Sequence, residues 1–143
     1  MAVNAAPHPS PHRERVPLVL VWLGFVTGPV LWALVMMITY GFSSYACYPA
    51  TDRLRTPVSE LSWVPGFATW LYLIAFVLTA IAGAIAWRTW SITRGEAAGH
   101  PLEIGEGRSR FLGLWGLITS AMFAGLLVFD FINTLLVPPP CAA

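Results

Sequence analysis

The sequence predicts an all-α integral membrane protein: a three-helix bundle with a cytoplasmic N-terminus and a periplasmic C-terminus. Three observations predict it. The chain is 57% hydrophobic and 10% charged, against roughly 25% charged in soluble domains. Its apolar residues gather in three runs, about 17–42, 64–88 and 110–137, and a helix crosses a bilayer with about 20 such residues. The arginines are also unevenly placed. Arg13, Arg15, Arg88, Arg94, Arg108 and Arg110 flank one side of the runs, and Arg53 and Arg55 alone flank the other. Basic flanks stay in the cytoplasm, and this sets the orientation. Every basic residue is an arginine, a bias that, with the abundant alanine, reads as a GC-rich bacterial genome and hence a bacterial cytoplasmic membrane. A net charge of +1 gives no reason to expect nucleic acid as a partner.

Residues 1–16 form a cytoplasmic tail broken by Pro7, Pro9 and Pro11, which carries no periodic apolar face. His8 and His12 lie four apart, a spacing that binds metal on a helix. The prolines oppose a helix there, and no cysteine or acid stands nearby, so a solvated tail is the expectation.

The first span begins at Pro17, a residue that suits a first helical turn. Arg13 and Arg15 before it, and Ser44-Tyr45-Ala46 after it, imitate a signal peptide. The apolar run is nonetheless longer than the roughly 7–15 residues of a signal peptide's core, so the segment reads as an uncleaved anchor. A lipoprotein reading at Cys47 fails because Ser44 and Tyr45 stand where an apolar and a small residue are needed. Within the span, Pro29 after Gly28 removes a helical hydrogen bond and predicts a kink. Gly24 and Gly28 form a GxxxG pair through which another helix approaches closely, either inside the bundle or from a second copy.

The loop 43–62 is bordered by Tyr40, Tyr45, Tyr48 and Trp63, aromatic residues that favour the headgroup level. Arg55 and Glu60 read as a solvated pair of charges or as a contact for a partner. Ser62 reads as the N-cap of the second span and Pro65 as part of its first turn. Thr79 with Gly83, and Ala82 with Ala86, place small residues at four-residue steps. Trp87 and Trp90 mark the second interface, and a short interfacial helix at Trp90–Arg94 is an option. The second loop holds Gly105-Glu106-Gly107, which lacks the lysine and the preceding strand of a phosphate loop.

The third span, 110–137, places Gly116, Ser120 and Ala124 on one stripe for close packing. Asp130, Asn133 and Thr134 follow at i, i+3 and i+4, on one face near the far end. Residues 138–143 are an extracytoplasmic tail containing Pro138, Pro139, Pro140 and Cys141. Cys47 and Cys141 both lie on the oxidising side, where a disulfide persists. The expected bridge requires the connectors Ser43–Ala46 and Pro138–Pro140 to lean together. Two free thiols are the alternative.

Several chemistries are disfavoured. No histidine lies in any span, whereas membrane haem usually takes axial histidines from the helices. The three histidines all lie on the cytoplasmic side, and no carboxylate pair occurs in the spans. The expectation is a protein that is not an enzyme and holds no cofactor.

Gly28-Pro29-x-x-Trp32, followed by Tyr40 and Cys47 and then by an acidic-polar third helix with Asp130, resembles small three-span proteins found beside haem–copper terminal oxidase and assembly genes. The resemblance covers the first span best and the rest through topology. It implies association with a respiratory oxidase. The leading functional expectation is therefore a non-catalytic membrane accessory subunit or assembly factor, with the lipid bilayer and other integral membrane subunits as partners. One alternative is a homo-oligomeric transporter or proton path using Asp130. Another is extracytoplasmic Cu(I) handling by Cys47 and Cys141, since soft thiolates select Cu(I).

Overall fold

The computed structural model describes residues 17–48, 54, 58–94, 108–136 and 141. These residues form three long helices: α1, Leu18–Cys47; α2, Val64–Thr93; and α3, Arg108–Leu136. A single 3-10 turn, Ser59–Leu61, precedes α2. Each helix packs against both others, α2 against α3 most extensively. The two tails and most of both loops, including His8, His12, Arg53, Arg55, Gly105–Gly107 and Pro138–Pro140, lie outside the described residues.

All three helices are long and apolar enough to cross a membrane, and the chain is a multi-pass membrane protein. The most apolar stretch of each is buried over only 22%, 28% and 22% of its residues. Water would not tolerate so much exposed leucine, valine and tryptophan. Lipid does, and it leaves no hydrophobic drive between helices, so association rests on close packing and polar contacts. The buried positions follow that logic. On α2 they are Val64, Ala68, Tyr72, Ala75, Thr79, Ala82, Ala86, Thr89 and Thr93, alternating in steps of three and four with mostly small side chains. These positions trace one stripe down the helix, with small residues bringing the backbones together.

One close approach of all three helices is a layer of three small residues. A Cβ added to Gly24 would meet the Ala86 Cβ at 3.1 Å, and one added to Gly116 would meet Ala86 Cβ and the Gly24 carbonyl carbon, each at 3.3 Å. One turn along, Gly28 faces Phe123 and Thr79. Gly113 lies against the backbone of Trp90, whose amide nitrogen a Cβ added to Gly113 would meet at 3.1 Å. The helix α1 runs unbroken through Pro29. Proline supplies no N–H there, so the Phe25 carbonyl loses its helical donor.

Three boundaries differ from the sequence expectation. Helix α1 continues past residue 42 to Cys47, so Ser43–Ala46 is helix rather than connector. Its last carbonyls, which a helix end leaves unpaired, accept hydrogen bonds from the loop: Leu54 N–H reaches Cys47 O at 3.0 Å and Val58 N–H reaches Ala46 O at 3.2 Å. Helix α2 runs on to Thr93, which absorbs the interfacial segment at Trp90 into the same helix. Thr89 and Thr93 are buried, and Thr89 packs on Gly113, so the packing that sustains α2 persists to its end. Ser62 is not the cap of α2. Trp63 holds that position without a side-chain bond, and the 3-10 turn delivers the chain to it.

Aromatic clusters mark both ends. Phe42, Trp63 and Phe67 stack edge to face near the start of α2, while Trp87 with Trp90 and Phe111 with Trp115 lie at the opposite end. Two aromatic belts separated by apolar surface are the pattern of a membrane slab.

Candidate functional site

The small-residue layer lets the helices touch at one level, and bulkier residues fill the space beyond it. Toward the Cys47 end, Val35, Tyr72, Ala75 and Leu127 form the buried core, flanked by Leu31, Trp32, Leu71, Phe76 and Phe131. Polar groups enter this wider half from all three helices. The Trp32 indole N–H on α1 donates to Asp130 Oδ2 on α3 at 3.1 Å. Trp32 also stacks on Phe123, with ring centroids 5.7 Å apart, which fixes where its N–H points. On the α2 side, Thr39 Oγ1 bonds the Val35 carbonyl at 2.7 Å and lies 3.2 Å from the Tyr72 hydroxyl. The Tyr72 hydroxyl in turn contacts the Met36 sulfur at 3.5 Å.

Asp130 is half-buried. It lies about eight residues beyond the middle of α3, ~12 Å along the axis at 1.5 Å per residue. A bilayer centred on α3, with a hydrocarbon half-thickness of ~15 Å, would place its carboxylate in the outer part of the apolar slab. A charge facing lipid at mid-membrane costs on the order of 2.5–3.5 kcal/mol on insertion scales, and less toward the interface. The Trp32 bond offsets part of that cost.

The other predicted positions are dispersed. Asn133 and Thr134 are exposed, and the Thr134 hydroxyl turns back to the Phe131 carbonyl at 2.7 Å. Gly24, Gly28 and Gly116 face into the bundle, and Pro29 is half-buried. Ser120 is buried and donates to the Gly24 carbonyl at 3.0 Å, while Ala124 is half-buried. Sequence reasoning singled out Asp130 and named Trp32 only within a motif; it missed the bond between them and the Thr39–Tyr72 pair. Apolar residues with polar tips inside a span were the available signal.

Cys47 and Cys141 form a disulfide, with Cα atoms 5.3 Å apart and both residues buried. That spacing falls in the range a bridge requires. It fastens the last turn of α1 to the segment beyond α3, on the side of the bundle toward which Asp130 is displaced. Both sulfurs are committed to one another, and a Cu(I) site would need the reduced pair. Among the described residues no three of His, Cys, Asp and Glu gather into a metal-binding group.

A shallow groove of about 550 Å³ runs along α1, lined by Leu18, Trp22, Leu23, Val26 and Val30 among others. Its lining is almost wholly apolar, with Thr27 as the one polar residue among the described lining.

No protein-family model matches the sequence, and no curated protein or solved structure shows significant similarity to it. The functional argument therefore rests on the geometry and on the residues themselves.

Proposed function

We propose that the protein is a non-catalytic accessory subunit or assembly factor of a respiratory complex of the terminal-oxidase type, in a bacterial cytoplasmic membrane. Its N-terminus is cytoplasmic, and its disulfide lies on the outer side. The feature that supports the reading is the half-buried carboxylate of Asp130, set toward the outer end of the apolar run of α3. An ionisable group at that depth is a functional-site candidate by default. The small-residue stripes are already consumed inside the bundle, so the unspent polar contact is the feature left for another membrane protein. Trp32, which holds Asp130, is also part of the Gly28-Pro29-x-x-Trp32 segment that resembles oxidase-associated three-span proteins. The arginine distribution and a bridge that persists only in an oxidising compartment both support the orientation.

Gentle solubilisation from the native membrane tests the proposal. The protein should elute with the subunits of an oxidase. Recovery as a lone species counts against it, and recovery as a discrete homo-oligomer favours the transporter reading.

A further inference from the structure

We propose that Asp130 is the docking point for a transmembrane helix of another protein that carries a lysine or arginine at the same depth. This deepens the accessory-subunit reading and rests on it for the identity of the partner. Trp32 occupies Oδ2, and among the described residues Oδ1 receives no donor. The described arginines, Arg88, Arg94, Arg108 and Arg110, all lie at the opposite end of the bundle. Leu126 and Asn133, one turn to either side of Asp130 on α3, are exposed. The surface is thus an apolar helix face with one carboxylate and one amide set into it.

Charge complementarity selects among occupants. An all-apolar helix would seal the carboxylate off from water without a partner, which is unfavourable. A phosphate headgroup has the wrong sign, and the cationic part of a lipid headgroup lies outside the hydrocarbon. A second copy would bring another Asp130 to the same depth. A basic residue on an apolar helix meets each requirement: it reaches the depth, buries the flanking leucine surface, and donates to Oδ1 while Trp32 retains Oδ2.

The test uses the full chain in phosphatidylcholine vesicles with a donor label, and acceptor-labelled leucine-rich transmembrane peptides. One peptide carries a single arginine about eight residues from its centre, and the other carries leucine there. The arginine peptide should associate about tenfold more tightly, since opposite charges that pair out of water contribute strongly to binding. Asp130→Asn removes the charge but keeps an oxygen to accept from Trp32, so the fold is retained. Its retention is checked by the absence of alkylatable thiols. In this variant the two peptides should associate equally. Equal association of both peptides with the unaltered protein, or an arginine preference that survives in Asp130→Asn, overturns the proposal. The vesicles contain no respiratory subunits, so failure here leaves the accessory-subunit reading to its own purification test, and failure there leaves this result intact.

Discussion

Trp32 and Asp130 are separated by 98 positions in sequence and share one hydrogen bond between α1 and α3. Trp32→Phe keeps an aromatic ring against Phe123 and removes only the N–H donor. Bonds to charged groups contribute about 1.5–3 kcal/mol, so this variant should lose on the order of 2 kcal/mol in reversible unfolding by denaturing detergent. Unchanged stability would leave the bond without a structural role. Thr79 presents the opposite case. Its hydroxyl is fully buried and finds no hydrogen-bond partner among the described residues. Thr79→Val has nearly the same shape and removes the orphaned group, so stability should rise by about 1 kcal/mol. Thr39→Val, which deletes a bonded hydroxyl between α1 and Tyr72, should lower it by a similar amount. The pair of valine variants in one unfolding assay separates satisfied from unsatisfied hydroxyls. Of these residues the sequence drew attention to Asp130 by its charge and to Thr79 by its size. It did not show that one is bonded and the other is not, because that depends on partners brought from other helices.

At the level of single helices, the glycines divide by what surrounds them. A Cβ at Gly113 would press on the Trp90 backbone at 3.1 Å, whereas one at Gly125 would meet nothing within 4 Å. Backbone atoms yield less than side-chain tips, so Gly113→Ala should cost about 1–3 kcal/mol. Gly125→Ala should be neutral or slightly stabilising, since alanine is the better helix former. Thermal aggregation in mild detergent would check both, and equal behaviour of the two variants would contradict the packing. The stripe at Gly116 and Ser120 was legible as a small-residue pattern. The opposed seam of α2 was legible only in part, through Thr79, Gly83, Ala82 and Ala86. Hydropathy cannot find such a seam, because the lipid face and the packed face are equally apolar and differ in side-chain volume.

Across the whole molecule, the bundle is held in two ways. The layer of Gly24, Ala86 and Gly116 closes one level by backbone approach, and the Cys47–Cys141 bridge closes the end toward which Asp130 lies. The bridge spans 94 positions, and chain-entropy arguments assign about 4–5 kcal/mol to closing such a loop in a freely unfolding chain. In a bilayer the unfolded reference is already inserted and restricted, so the effect should be smaller and local. Cys47→Ala should therefore raise amide hydrogen exchange in the last turns of α1 and α3 while leaving exchange around Gly24 and Gly116 unchanged. A uniform rise along all three helices would show that the bridge supports the entire bundle. A reporter that works only outside the cytoplasm, fused after residue 143, should be active, and activity from a cytoplasmic reporter at the same place would reverse the orientation.

The sequence by itself determined the number of spans, their rough limits and the small residues along which they pack, because length, apolarity and side-chain volume are local properties. It also marked Asp130, since a charge in an apolar run stands out without any fold. Only the tertiary structure decided that α1 runs on to Cys47, because that last turn is capped by the amides of Leu54 and Val58, residues beyond its own end. The same is true of the Trp32–Asp130 bond, the Thr39–Tyr72 contact and the meeting of Gly24, Ala86 and Gly116. Each joins side chains from different helices, and their relative rotation and depth are set by which small residues let the backbones touch.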